Sequence, residues 1–407
     1  MEIRMDQLVR AIGVALDIVE GELLGASTHH GKRIAVLSSA MGRRLGMDDA
    51  QISAIATCAL FHDSALTEYI LSERQGNSIA LRLHCEYGQR NAEAFLLNSD
   101  VDGFVLYHHE RADGEGPYGR TESEFPLGAA LIAIADMLDV SLHLQRITPE
   151  GLPGIRRLIE SDAGSRFTKA AAGAMLDILD EDMLLSLSDE RIVRTAELTI
   201  PAWRIDMEDV SVFRIAGLAA RIIDFKSVFT KRHSIQIANK AWLMGAHYGY
   251  DMNRRAQLYL AAALHDLGKL DTPSDILEKP GKLSDAEFET IRDHVRVTGD
   301  ILGTVEGFEA ICALASDHHE KLDGTGYMAG KKAEGLSFDA RLLACIDIYQ
   351  AVSEERPYHP GRSHAESMPV LYDMAAQGLI DASIAKDMDA VMEAYSGGDV
   401  PPPEALA

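Results

Sequence analysis

Residues 252–269 read MNRRAQLYLAAALHDLGK. Apolar side chains fill the run from Leu258 to Leu264, so the stretch predicts a largely buried helix that delivers His265 near its end. The reading extends outward in both directions. Residues 5–23 set Met5, Leu8, Ile12, Leu16, Val19 and Leu23 along one helical stripe. Ser284 and Glu287 have the spacing of a capping box, which opens a helix expected to carry His294. Residues 338–353 predict another helix, with Asp347 on it. Long alternating patterns are absent, and the expected fold class is all-α.

His265 is one member of a repeat. His30, His62-Asp63, His84, His108-His109 and Asp136 recur in order as His233, His265-Asp266, His294, His318-His319 and Asp347. The offset is 203 residues for His30 and His62, and 210 for His84 and His108. The second copy has therefore gained seven residues between the His-Asp pair and the next histidine. Histidine and carboxylate are transition-metal ligands, and an ordered repeat of them is not explained by packing. Seven ligands converging in a helical bundle exceed the needs of one ion. They suit two ions with positions left for water and substrate. Nitrogen and oxygen ligands favour Fe, Mn or Zn over Ca or Mg. Two such ions ~3.5–4 Å apart can activate a water and clamp a phosphoryl group.

The repeat also predicts the domain plan. Residues 1–200 form one expected helical domain and residues 201–396 a second, with the boundary near Thr199-Ile-Pro-Ala202. Residues 397–407, rich in glycine and proline, are expected to be a disordered tail. The net charge is −24, from 39 basic and 63 acidic residues. That balance argues against a nucleic-acid polymer or an anionic membrane as the main partner, but not against a small phosphate ligand. Cys58, Cys85, Cys312 and Cys345 show no metal or redox spacing and read as reduced cysteines of a cytoplasmic protein. Neither a spanning segment nor a signal peptide is expected.

At the second copy the chain resembles the HD-GYP family of the HD metal-dependent phosphohydrolases. The matching pieces are His265-Asp266-Leu-Gly-Lys269, the run from His318-His319-Glu320 through Asp323-Gly324-Thr-Gly326-Tyr327, Ile346-Asp347-Ile-Tyr, and Arg356-Pro357-Tyr358. The resemblance covers residues 225–370 strongly and residues 26–140 in weaker form. It implies hydrolysis of cyclic di-GMP to linear pGpG or GMP, with two ions per site, iron or manganese ahead of zinc. His233, His265, Asp266 and Asp347 would hold one ion. Asp266 would bridge to a second, held by His294, His318 and His319. Asp266 and Lys269 would be catalytic, and Lys269, Tyr327 and Arg356 would contact phosphate or guanine.

The chain departs from the family pattern at several places. Met328 stands where the signature has proline, Phe229 where some members carry a third-metal glutamate, and His359 where a basic residue often follows. The first copy keeps all seven ligand types, and Leu66 stands in place of Lys269. It also lacks the Arg-Pro-Tyr stretch after Asp136. A regulatory, sensory or dimerising role fits it, and a homodimer is compatible with that role. His29, His143, His247 and His364 fall outside the repeat and read as ordinary structural histidines. Arg341 reads either as a substrate contact or as a helix-surface ion pair. Glu320 and Asp323 read either as partners that orient ligands or as loop caps. Two rival functions remain: a phosphodiesterase of another cyclic dinucleotide or nucleotide, and a non-catalytic cyclic-dinucleotide sensor.

Overall fold

The structure is a computed structural model that describes residues 2–24, 27–65, 80–95, 101–206, 211–226, 232–354, 361–395 and 399–403. Its contacts divide the chain into two units: Arg4–Arg204, and Met1–Ile3 with Ile205–Ala407. The first unit contains α1 (Met5–Leu24), α2 (His30–Arg44), α3 (Asp49–Leu60), α4 (Ala80–Phe95), α5 (Leu127–Leu142), α6 (Leu152–Asp162), α7 (Lys169–Ile178), α8 (Glu181–Ser186) and α9 (Ile192–Thr199). The second contains α10 (Ser211–Phe225), α11 (His233–His247), α12 (Met252–Leu264), α13 (Ser274–Leu277), α14 (Asp285–Arg292), α15 (His294–Leu302), α16 (Glu309–Asp317), α17 (Phe338–Ser353), α18 (His364–Ala376) and α19 (Ala382–Met392). One short ribbon pairs Glu2–Arg4 with Arg204–Asp206. Three-residue strands are too short to leave an alternating pattern. The all-α expectation otherwise holds.

The helices that begin on a repeat histidine sit at the centre of their units. α2 packs on α3, α5, α7 and α9, and α11 packs on α10, α12 and α17. Each is enclosed on nearly every face, so polar side chains along it must find partners inside. Arg33 is fully buried, and its Nε donates to Asp139 Oδ1 at 2.8 Å. Lys240 is buried, and its Nζ donates to Gln350 Oε1 at 2.7 Å. α12 matches its sequence reading closely: Leu258–Leu264 are all buried, and Asp251 caps its start.

Two expectations need correction. The Ser284–Glu287 capping box forms, but α14 ends at Arg292 and does not carry His294. Arg296 clamps the Asp293 carboxylate at 2.8 and 2.6 Å, and His294 opens the next helix. The break places the carbonyl of His294 against the turn at 267–271. The tail is also partly ordered. Val400 is 1% exposed; its N–H donates to Gln236 Oε1 and its carbonyl accepts from Asn239 Nδ2, both at 2.9 Å. One buried side chain and two backbone hydrogen bonds outweigh a composition that reads as disordered.

Candidate metal centre

The ligand-type residues stand at helix ends and turns, and each unit gathers them at one place. In the second unit His233 is the first residue of α11, and His265-Asp266 follow the last turn of α12. His294 opens α15, His318-His319 follow α16, and Asp347 lies within α17. Two groups result: His233, His265 and Asp347; and Asp266, His294, His318 and His319. Within each, the candidate ligand atoms lie within 4.8 Å of one another. Asp266 faces both. Its Oδ2 is 3.2 Å from His265 Nε2 and 3.7 Å from His233 Nε2, and its Oδ1 is 3.3 Å from His294 Nε2 and 3.9 Å from His318 Nε2. That is the disposition a bridging carboxylate needs.

Hydrogen bonding fixes which ring nitrogens face inward. His265 Nδ1 contacts Ala262 O at 2.7 Å, His294 Nδ1 contacts Ile291 O at 2.6 Å, and His318 Nδ1 contacts Ala315 O at 2.6 Å. A carbonyl only accepts, so each Nδ1 carries a proton and Nε2 is the ring nitrogen turned toward the centre. His294 Nε2 and His318 Nε2 then face one another at 3.5 Å. His265 Nε2 and Asp266 Oδ1 are buried and make no hydrogen bond of sound geometry. Acceptors aimed at acceptors in a buried site are unfavourable unless a cation sits between them. The residues present therefore fit a pair of metal ions.

Electrostatics agree. Burial, then the neighbouring His319, hold His318 well below the usual imidazole range. Burial pushes His319 down to about 3, against the pull of Asp347. Both rings stay neutral near pH 7, the state in which imidazole binds metal. For Asp266, burial would raise the pKa, but His265, Lys269 and His294 outweigh it and hold the carboxylate ionised. His233 goes the other way. Burial lowers it, yet Asp347 and Glu354 raise it to about 9. Glu354 Oε2 accepts a hydrogen bond from His233 Nδ1 at 2.9 Å. The sequence reading missed Glu354, which caps the C-terminal end of α17 seven residues beyond Asp347.

The expected substrate contacts fall out as follows. Lys269 Nζ donates to Asp266 Oδ2 at 2.5 Å. The Tyr327 ring lies 4.8 Å from the His319 ring, and burial raises its phenol so that it stays a neutral donor. Arg292, which the sequence reading also missed, sits over the Tyr327 ring at 4.7 Å with its Nε buried and unbonded. Arg356, with Phe229, Leu66 and His359, lies outside the described residues. Arg341 bonds the carbonyls of Ala333 and Leu336 and faces Asp381, so it ties a loop to α17. Glu320 accepts the N–H groups of Ala329, Gly330 and Lys331, and Asp323 accepts from Thr325, so both are loop caps. His364 bonds Tyr349 and Asp389. The cysteines are free thiols, three of them buried.

The first unit repeats the arrangement. His30, His62 and Asp63 form one group, and Asp63, His84, His108 and His109 form another. Asp136 Oδ1 lies 3.4 Å from His30 Nε2 and 3.8 Å from His62 Nε2. Asp63 again faces both sides, Oδ1 at 3.1 Å from His84 Nε2 and Oδ2 at 3.6 Å from His62 Nε2. His62 Nδ1 and His108 Nδ1 are fixed by the carbonyls of Ala59 and Val105 at 2.8 and 2.5 Å. Asp139 holds His30 Nδ1 at 2.7 Å, the part Glu354 plays for His233.

Among the described residues no helix is long and apolar enough to cross a membrane. The profile of the HD domain family matches residues 217–384. A 3'3'-cGAMP-specific phosphodiesterase of Vibrio cholerae is 25% identical over 372 residues, covering 88% of this chain and 85% of that protein. A cyclic di-GMP phosphodiesterase of Pseudomonas aeruginosa is 41% identical over 110 residues, covering 27% of each chain. The crystal structure of a cyclic GMP-AMP specific phosphodiesterase from V. cholerae shares the fold with a TM-score of 0.65 at 20% identity, covering 97% of this chain and 98% of that one. The HD domain match covers residues 217–384, and the ordered His-Asp set with the G-Y loop after His318-His319 supports membership of the HD-GYP family of the HD superfamily.

Proposed function

We propose that the second unit is a metal-dependent phosphodiesterase that opens a cyclic dinucleotide, with 3'3'-cGAMP ahead of cyclic di-GMP. One observation carries the chemistry: histidine Nε2 atoms and a two-sided Asp266 converge on a buried centre. The substrate ranking rests on extent of similarity. Two relatives named for 3'3'-cGAMP match 88% and 73% of this chain, whereas relatives named for cyclic di-GMP match 47% of it or 27%. Cyclic di-GMP, expected from the sequence, stays the second substrate to test.

His233, His265, Asp266 and Asp347 would hold one ion, and Asp266 with His294, His318 and His319 the other. The donor set suits iron or manganese, with zinc third. When bound, the pair supplies a water nucleophile at neutral pH and charge stabilisation for the phosphoryl group. The chain's own residues do the rest. Lys269 and Arg292 present cations to phosphate oxygens at the rim. Tyr327 offers an apolar face and a phenolic proton to the substrate. The phosphate contact that the family resemblance implies for Arg356 is carried forward as part of this proposal.

The test is anaerobic incubation of iron- or manganese-loaded protein with each dinucleotide, with products resolved by chromatography. Faster loss of 3'3'-cGAMP supports the ranking. Metal-loaded protein that hydrolyses neither substrate overturns the reading. Two substitutions probe the outer residues. Arg292→Ala is expected to raise KM about tenfold, the loss of one charge-assisted contact; an unchanged KM would place Arg292 outside the substrate path. Glu354→Gln keeps the shape but not the charge beside His233. It should weaken metal binding about 10- to 100-fold, read by titration with a competing chelator.

A further inference from the structure

We propose that the first unit holds a second binuclear metal site of its own, and that this site binds a nucleotide phosphate through Arg166. The ligand geometry described above is one part of the argument. The inward nitrogens His62 Nε2 and His108 Nε2 are buried and unbonded. Glu20, 2% exposed, also has an unpartnered Oε2 and lies within electrostatic range of Asp63, His30 and His62. Three carboxylates and five imidazoles packed this closely call for cations.

The second part is a cavity. About 450 Å³ of space opens onto Asp63, His84, His109 and Asp136. Leu81, Met137 and Phe167 give it an apolar wall, and Arg111 and Arg166 add cations. That size and lining suit one nucleotide, with a base against the wall and a phosphate toward the metal cluster. Arg111 is committed to Asp113, at 3.0 and 2.6 Å. Arg166 pairs with no carboxylate among the described residues, and its side chain is exposed.

The third part explains the missing lysine. Leu66 stands where the second copy has Lys269, which on sequence alone leaves the first copy without a phosphate cation. In the structure, Ala112 N donates to Arg166 O just as Leu322 N donates to Leu379 O. Arg166 therefore occupies the place of Leu379. The first unit carries its cation on the far side of the His-His loop, where the second unit carries an apolar residue.

Metal analysis of the full manganese-loaded chain should find about four ions, two per unit. Asp63→Asn, which preserves side-chain shape, should lose about half of them, and Asp266→Asn the other half. About two ions in the wild type, all lost in Asp266→Asn, would overturn the first-unit site. The ligand is tested in Asp266→Asn, which leaves only the first-unit ions. Equilibrium dialysis with GMP should reveal one saturable site, bound more tightly than inorganic phosphate. Adding Arg166→Ala should weaken GMP binding about tenfold with metal content unchanged. No GMP binding to the metal-loaded protein, or equal binding with and without Arg166, would overturn the nucleotide assignment. Arg166 is exposed, so folding does not confound that comparison.

Discussion

Asp266→Asn is expected to remove both the metal and the turnover of the second unit. The side chain keeps its size, so packing around α12 should survive. Its charge does not survive, and the charge is what the centre uses. Asp266 has two oxygens facing two groups of ligands, Oδ2 toward His265 and His233, Oδ1 toward His294 and His318. An amide offers one acceptor oxygen and turns a donor toward the other group. Lys269, now held on Asp266 at 2.5 Å, would also lose its partner. Charge stabilisation by a metal pair is worth several kcal/mol, so hydrolysis should fall by about 10³-fold or more. Elemental analysis and product chromatography read the two effects separately. Full activity in Asp266→Asn would sink the assignment of the centre. Metal loss with activity kept would show that the chemistry lies elsewhere.

The ligand set was legible because ligation depends on residue type. Imidazoles are few and carry their chemistry wherever the chain places them, so a repeat of them, with aspartates at matching places, stands out at offsets of 203 and 210. Residues that act through position were not legible. Glu354 is one acidic residue among many until it caps the C-terminal end of α17, seven residues beyond Asp347. Asp139 is equally ordinary in sequence, yet it holds both His30 and Arg33. Thr298 carries no motif, but its hydroxyl bonds His265 O and accepts from Gly268 N. Arg166 is hidden from the repeat altogether. Its counterpart Leu379 lies 213 residues on, off both repeat offsets, and the two match only through a backbone hydrogen bond.

The fold was legible where apolar periodicity is strong, as in α12 and α17. It was less so where a single contact decides. A capping box marks where a helix starts, not where it ends, and α14 stops eight residues later at Arg292. The tail beyond Gly397 reads as disordered from its prolines and glycines, while buried Val400 and the Asp399–Arg232 ion pair hold residues 399–403 against α11.

Gly268→Ala is the second substitution with a large expected effect, and it connects the break before His294 to the site. A Cβ at Gly268 would fall 2.0 Å from His294 O and 2.8 Å from both His294 C and Thr298 N. All three are backbone atoms, so no rotamer change relieves the clash. α15 must move away from the turn at 267–271. That motion breaks the Gly268 N to Thr298 Oγ1 bond of 2.8 Å and the Thr298 Oγ1 to His265 O bond of 3.1 Å. It also draws His294 from Asp266. Overpacking of this kind costs about 1–3 kcal/mol or more, read as a lower Tm. Displacing a ligand by about 1 Å costs on the order of 10²-fold in rate. Gly217→Ala in α10 is the control. The nearest atom to its Cβ is an Arg221 guanidinium nitrogen 4.0 Å away, and alanine favours helix by about 0.5–1 kcal/mol. Gly217→Ala should therefore hold or raise Tm with activity intact. If Gly268→Ala matched it in both measurements, the close approach of α15 to the His-Asp turn would not be what sets the geometry of the centre.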